Sequence, residues 1–366
     1  MFDEMINGYR LENEIGQGDY FKVFLATKLD TKEKFAIKKI QRDLLNNKGI
    51  KKYINNEIFI LGKIKNDHII KFYELKKDMN YIYLIFEFCN GGDLEVCLDK
   101  YITKYKRSFN EEIVQHLMKQ IISGFVYLHS RRILHRNIKL NNILVKFPTK
   151  EDKEQLNMLK SEIKISGFYF SRYLKKRDLA KSIVGTPINM DPYIIRRMEK
   201  VDRDNNFGYD QKADIWSLGT ITYELFVGWS PFESNSYKEL LEKLEKGIYT
   251  IPNKIILSKE SICFLNSMLQ YDSQRRLKVE ELTKQLFLNR DVKTFHYIYF
   301  HKLKTYLTQS TQSIILNSKD EKKSNIFYIL SCFNSSINNS DYESQKTLDN
   351  NLILNSGETE EIKKEK

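Results

Sequence analysis

The sequence predicts an α+β chain in two lobes, an antiparallel sheet with one helix followed by a mainly helical half. Three observations carry this. Apolar and polar residues alternate at period two from Tyr9 to Ile40, apolar positions take helical spacing from Glu111 onward, and a glycine-bearing run, CNGGD, marks the changeover.

The first strands are written in YRLENEI, FKVFLAT and KFAIKKI, with Gly16-Gln17-Gly18 read as the turn between the first two. A helix is expected over Leu44 to Lys65, where Ile54, Ile58, Leu61 and Ile64 recur at helical spacing. Two further strands, IIKFYEL and YIYLIFEF, flank the turn KKDMN. Long amphipathic helices are expected over Glu111–His129, Ala213–Lys246 and Ser258–Leu288. The domain organisation read from this is a lead-in at 1–8, a folded domain at 9–290 (N-terminal lobe 9–88, C-terminal lobe 89–290) and a tail at 291–366. The tail opens with the aromatic run TFHYIYFHKLKTYL, whose Phe295–Phe300 part either packs on the large lobe or docks a partner. Ser, Asn, Gln, Lys and Glu then dominate, so disorder is expected from Gln309, with IFYILSCF as a local exception.

Composition narrows the class. Hydrophobic residues at 41% and charged residues at 30% fit a soluble globular chain, and no run of apolar residues is long enough to cross a membrane, which leaves peripheral contact with a membrane surface as the compatible form of association. The N-terminus MFDEMINGYR lacks the basic flank and apolar stretch of a secretory signal, so a cytoplasmic location is expected. Cys89, Cys97, Cys263 and Cys332 are scattered without a C-x-x-C pair, against both a disulfide framework and a zinc site. The net charge of +12 is spread over many segments rather than gathered in a basic block, which argues for a solvated surface and against a specific nucleic-acid partner.

An ordered set of motifs spans Gly16 to Arg276. Gly16-Gln17-Gly18-Asp19-Tyr20-Phe21-Lys22-Val23 is followed by Phe35-Ala36-Ile37-Lys38, by Glu57 within NEIFIL, and by Ile85-Phe86-Glu87-Phe88-Cys89-Asn90-Gly91-Gly92-Asp93-Leu94. Farther on come His135-Arg136-Asn137-Ile138-Lys139-Leu140-Asn141-Asn142, Ser166-Gly167-Phe168-Tyr169, Gly185-Thr186-Pro187 and Asp214-Ile215-Trp216-Ser217-Leu218-Gly219. In this order the residues resemble the eukaryotic protein kinases of serine/threonine type. The resemblance implies a bilobal protein-kinase-like fold. It implies a phosphate-covering loop at Gly16 and Gly18, with Phe21 where a third glycine stands in the family. Lys38 and Glu57 then take the places of the phosphate-neutralising lysine and its helix carboxylate; a structural ion pair bracing sheet to helix is the other reading. Phe86 stands as gatekeeper, backbone groups of Glu87 and Cys89 face an adenine, and Val23, Ala36 and Leu144 wall it, although the same residues would also fill a core. Leu61, Phe72, His135, Phe168 and Asp214 fall on the family's regulatory column between the lobes.

The chemistry departs from the family. Asn137 replaces the catalytic-loop aspartate, and an amide cannot take up a proton near neutral pH. Gly167 replaces the metal-binding aspartate, which leaves Asn142 as the retained metal-ligand position beside the retained Lys139 and Thr186. No Asp or Glu lies between Glu112 and Glu151, or between Glu162 and Asp178, so no shift of alignment restores either acid. Asp191-Pro192-Tyr193 stands for Ala-Pro-Glu, whose glutamate the resemblance pairs with Arg276, so that pairing is either lost or rerouted, with Asp191 as one route. Ser182 sits where the family carries an activating phosphate, with Arg136 its natural partner; an unmodified loop serine is the other reading.

The expectation is a pseudokinase acting as a scaffold or allosteric regulator, with ATP taken into the cleft without Mg²⁺ and other proteins as partners, an active kinase or its substrates among them. The alternative is an atypical active serine/threonine kinase. FEFCNGGDLEVCLDKY and the extended segment from Lys146 to Glu162 resemble the Unc-51-like, autophagy-initiating kinases, which implies autophagy-type signalling.

Overall fold

The computed structural model describes residues 4–175, 178–199, 208–234, 236–247 and 249–291, all within the unit Met1–Phe295. The expectations for the tail, including Phe295–Phe300 and IFYILSCF, lie outside the described residues.

The N-terminal lobe is an antiparallel sheet of β1 (Met5–Ile6), β2 (Tyr9–Gly18), β3 (Phe21–Lys28), β4 (Lys34–Gln41), β5 (Phe72–Lys77) and β6 (Tyr81–Glu87), in the order β1-β2-β3-β4-β6-β5. Alternation sorts its side chains to two faces. Tyr9, Leu11, Phe24, Phe35, Ile37, Tyr83 and Ile85 form a small outer core. Ile40, Ile82, Leu84 and Phe86 instead join the main core shared with the other lobe. The expected turn at Gly16-Gln17-Gly18 is strand: these residues pair with Val23, Lys22 and Phe21, and the chain reverses at Asp19-Tyr20.

The helix expected over Leu44 to Lys65 is shorter, α1 (Lys48–Leu61), preceded by a 3-10 turn at Arg42–Asn46. Asn47 divides them, because its side chain accepts from the N–H groups of Gly49 and Ile50 at 2.9 and 3.2 Å and so starts a new helix. The strand expected from Ile69 begins at Phe72, since Ile70 donates its N–H to the Ile165 carbonyl at 2.9 Å and ties the N-terminal lobe to the C-terminal one.

The C-terminal lobe follows as β7 (Gly92–Asp93), α2 (Leu94–Tyr105), α3 (Glu111–Ser130), β8 (Ile133–Leu134), β9 (Ile143–Lys146), α4 (Lys150–Gln155), β10 (Glu162–Ile165), β11 (Arg172–Tyr173) and α5 (Pro192–Met198). It is completed by α6 (Lys212–Val227), α7 (Tyr237–Lys246), α8 (Lys259–Met268), α9 (Val279–Leu282) and α10 (Leu286–Asn289). The block expected over Ala213–Lys246 is therefore two helices, the second opened by Ser236 accepting from the Glu239 N–H at 3.1 Å. The block over Ser258–Leu288 is likewise divided. Helix α6 is apolar nearly all round and buried nearly all round, Trp216, Ile221 and Phe226 among its buried residues. Small sheets, β10-β9-β7 and β11-β8, carry the loops that face the N-terminal lobe. Among the described residues no helix is long and apolar enough to cross a membrane.

Candidate functional site

Between the lobes lies a cleft of about 940 Å³. Its roof is set by strand register: Val23 pairs with Lys38 across β3 and β4, and Ala36 pairs with Phe86 across β4 and β6, so all four belong to adjoining rungs of one sheet. Gly16 and Gly18 border it from the β2–β3 hairpin, Glu57 from α1, Glu87 and Cys89 from the chain joining the lobes, and Leu144 from β9 below. Asn137, Lys139, Asn142 and Gly167 line its floor. The residues singled out in the sequence for a nucleotide are thus brought to one cavity. A larger concavity, about 1250 Å³, lies against the outer side of the β2–β3 hairpin. Its charges are largely matched to one another, Lys22 with Glu14 at 2.9 Å, Lys34 with Glu12 at 2.6 Å and Lys39 with Glu4 at 2.6 Å, which leaves little for a ligand to recognise.

Lys38 donates to Glu57 at 2.7 Å, and both side chains are buried. The same ammonium lies 4.1 Å from the centre of the Phe21 ring and 5.9 Å from that of Tyr169. A desolvated cation over an aromatic face gains about 2 kcal/mol. Burial, with the negative charge of Asp19 next, pushes the Tyr169 phenol up to about 12, so it stands there uncharged. Tyr169 also packs on Phe170, with ring centres 3.9 Å apart, and on Tyr53 of α1 at 5.9 Å. Asn56 of α1 donates to the Ser171 carbonyl. Helix α1 is therefore fastened to the Phe168–Phe170 turn by aromatic packing. Neither Phe21 nor Tyr169 is assigned a place beside Lys38 by sequence reasoning, although Phe21 is legible there as an aromatic where the resembled motif has glycine.

The catalytic-type loop is held by Asp214. Its carboxylate accepts from the N–H groups of His135 and Arg136, each at 2.9 Å, and lies 3.0 Å from His129 Nε2. Burial opposes ionisation of Asp214, but the hydrogen bond and charge of His129 and the His135 N–H outweigh it and hold the carboxyl below its usual range. His135 donates Nε2–H to the Ser166 carbonyl at 2.8 Å and accepts the Asn137 N–H on Nδ1 at 3.3 Å, the pattern of a neutral imidazole. Complete burial lowers its pKa in the same sense. Phe168, fully buried, meets this ring edge-on at 4.9 Å. Asp214, His135 and Phe168 thus form a continuous stack; Leu61 shares the core of Phe168, and the half-buried Phe72 packs against it.

On the floor of the cleft, the Asn137 amide oxygen accepts from the Thr186 hydroxyl at 3.3 Å. Asn142 donates Nδ2–H to the Asn137 carbonyl at 2.7 Å. Gly167 has φ +80°, and a Cβ there would lie 2.5–2.7 Å from the Asn142 amide, so that amide fills the room a side chain at 167 would need. The carboxylates bordering the cleft are otherwise engaged or distant from this floor. Glu57 holds Lys38, Glu87 accepts from the Lys71 N–H at 2.8 Å, Asp93 caps α2 by accepting from the Val96 N–H at 2.9 Å, and Asp19 stands at the exposed hairpin tip. Among the described residues no three His, Cys, Asp or Glu side chains gather as a metal site. The donor set does not fit Mg²⁺, a small hard cation that needs close oxygen ligands with carboxylate among them.

The regulatory candidates meet outside the cleft. Arg136 donates Nε–H to the Phe170 carbonyl at 2.7 Å and Nη1–H to the Ser182 hydroxyl at 2.6 Å. Tyr209 closes the cluster by donating its hydroxyl to the Ser182 carbonyl at 2.7 Å.

Comparison with known proteins agrees with this geometry. The family model "Protein kinase domain" matches residues 9–288. Serine/threonine-protein kinase PLK4 of Drosophila ananassae is 29% identical over 290 residues, 79% of this chain and 34% of that protein. Serine/threonine-protein kinase ATG1 of Kluyveromyces marxianus is 27% identical over 349 residues, 87% of this chain and 39% of that protein. The ATG1 of Gibberella zeae is 27% identical over 323 residues, 79% and 33% respectively. The chain thus spans little more than a third of the length of these relatives.

Proposed function

The chain belongs to the protein kinase domain family, and from that premise we propose that it is a pseudokinase: a kinase-fold protein that works by conformation and contact, as a scaffold or allosteric regulator of another protein, with little phosphoryl transfer of its own. One observation carries the reading. At the two places where the family's chemistry calls for a carboxylate stand the neutral amide of Asn137 and the bare backbone of Gly167. Losing a proton-transfer group alone costs about 10²–10⁴ in rate, and losing the principal metal ligand with it removes charge compensation at the phosphates. Membership of the family implies ATP as the ligand of the cleft, with Lys38, Glu57 and the segment Glu87–Cys89 holding it. ATP without a divalent ion is the form that suits the donor set described above. In this reading the domain is 9–290 with its tail at 291–366, the location is cytoplasmic, the partners are proteins, and a phosphate on Ser182 would be met by Arg136.

The test is a phosphotransfer assay with Mg²⁺ or Mn²⁺, generic peptide and the full chain. Background rates, unchanged by Lys38→Met, are expected; robust transfer that Lys38→Met abolishes would reject the reading. Thermal melts with ATP and EDTA test the nucleotide part, because a ligand that binds the folded state raises its stability by mass action.

A second reading is favoured by a specific observation. Lys38 and Glu57 are joined at 2.7 Å and the Asp214–His135–Phe168 stack is closed, the alignment an active kinase needs. An atypical serine/threonine kinase acting on protein would use it, in autophagy-type signalling if it resembles its ATG1 relatives; their identities and those of PLK4 are too close to choose between the two groups.

A further inference from the structure

We propose that Phe21 is a specificity-determining residue of the cleft: its ring takes the place on Lys38 that a phosphate would occupy, so the cleft reads the nucleoside end of a nucleotide and discriminates little by the number of phosphates. The proposal rests on the nucleotide reading above and revises one part of it: the nucleoside end is held at the segment Glu87–Cys89, and Lys38 with Glu57 contributes little to the hold on phosphate.

The Lys38 ammonium has three N–H groups and is nearly buried. Glu57 Oε2 accepts one at 2.7 Å, and the face of the Phe21 ring lies 4.1 Å away. An anion approaching this ammonium from the side of the ring must push the ring aside and expose its apolar surface. That displacement weakens the hold on phosphate.

The hairpin is built to put the ring there. Gly18 and Phe21 pair directly across the Asp19-Tyr20 reversal. A Cβ on Gly18 would lie 2.6 Å from the Phe21 ring, closer than real atoms approach. Gly18 therefore makes room for the ring of Phe21. A glycine that lets backbone approach phosphate and a glycine that lets an aromatic fold beneath the hairpin look alike in sequence, and here the geometry favours the second. Tyr169, with its ring centre 5.9 Å from the ammonium, adds a second aromatic face and no charge.

The experiment is calorimetric titration of the full chain, with EDTA present, using adenosine, ADP and ATP on the wild type and on Phe21→Gly. Wild-type dissociation constants for the three ligands are expected to agree within about 3-fold, and Phe21→Gly to bind ATP about 10-fold tighter with adenosine unchanged. Should the glycine variant melt too low to titrate, Phe21→Ala is read in its place, with the same sign expected. ATP binding more than about 3-fold tighter than adenosine on the wild type, or no gain for ATP on the variant, overturns the proposal and leaves the nucleotide reading standing. No binding of adenosine, ADP or ATP by wild type or variant overturns the nucleotide reading, and the proposal with it.

Discussion

Asp191 accepts a hydrogen bond from Arg276 Nη1 in the interior of the C-terminal lobe, where the two side chains are 4% and 0% exposed. The same carboxylate caps α5 by accepting from the Tyr193 N–H at 2.7 Å. One residue thereby supplies both the counter-charge for a buried guanidinium and the start of a helix. The rest of the guanidinium is satisfied by the carbonyls of Gln270, Tyr271 and Lys212 at 2.6, 3.1 and 3.0 Å. Removing one partner of a buried ion pair strands the other charge, so Asp191→Ala is expected to lower stability by about 3–5 kcal/mol. Asp191→Asn keeps the cap and loses only the charge, so it should cost less. Urea denaturation of the three proteins checks both the size and the order.

Lys38 and Glu57 present a related case with a different expectation. As a brace between β4 and α1 the pair is replaceable by apolar groups, whereas either half alone is not. Lys38→Met and Glu57→Leu are each expected to destabilise by about 3 kcal/mol, and the double variant to recover most of the loss. A double-mutant cycle read by chemical denaturation gives the coupling. Additive losses would show that the two groups do not act as a pair.

Much of this was legible in the sequence because period and motif order are local signals. The alternation that marks KFAIKKI also fixes Lys38 toward the cleft, and the apolar spacing of α1 brings Glu57 to the same side. Helix limits were less legible, since Asn47 reads equally as a helix residue or as a cap until its side chain is seen to accept two N–H groups. The role of Phe21 was hidden for another reason. A substitution at a glycine position announces lost backbone freedom, but whether the ring turns out to solvent or in onto Lys38 depends on the register that puts Gly18 opposite it. Asp191 taking up Arg276 was legible only as one of two outcomes, loss or rerouting, because the burial of Arg276 that demands a counter-charge is not written in the sequence.

Restoring the missing acids meets unequal obstacles. Asn137→Asp keeps size and shape and is expected to fold as the wild type does. Gly167→Asp must hold a side chain at φ +80° and push back the Asn142 amide, breaking its bond to the Asn137 carbonyl. Its expected cost is about 1–3 kcal/mol. Neither single variant is expected to transfer phosphate above background with Mg²⁺, since base and metal site act as a unit. Thermal melts and a phosphotransfer assay on the two variants and their combination check this; strong activity from Asn137→Asp alone would contradict it.

Glu224, on α6, gives a pH signature independent of the cleft. Burial, with the charges of Glu95, Asp99 and Glu233 added, raises its pKa from 4.5 to about 7. Between these values the folded chain holds a proton that the unfolded chain releases, so stability falls as pH rises through the window and stays lowered above it. Glutamine in its place resembles the protonated acid and carries no such penalty. Glu224→Gln is therefore expected to be more stable than the wild type above neutrality, with the difference widening by about 2 kcal/mol between about pH 5 and pH 8. Denaturation of both proteins at the two pH values measures it. A difference that does not change with pH would mean that Glu224 is ionised in the folded chain throughout the range.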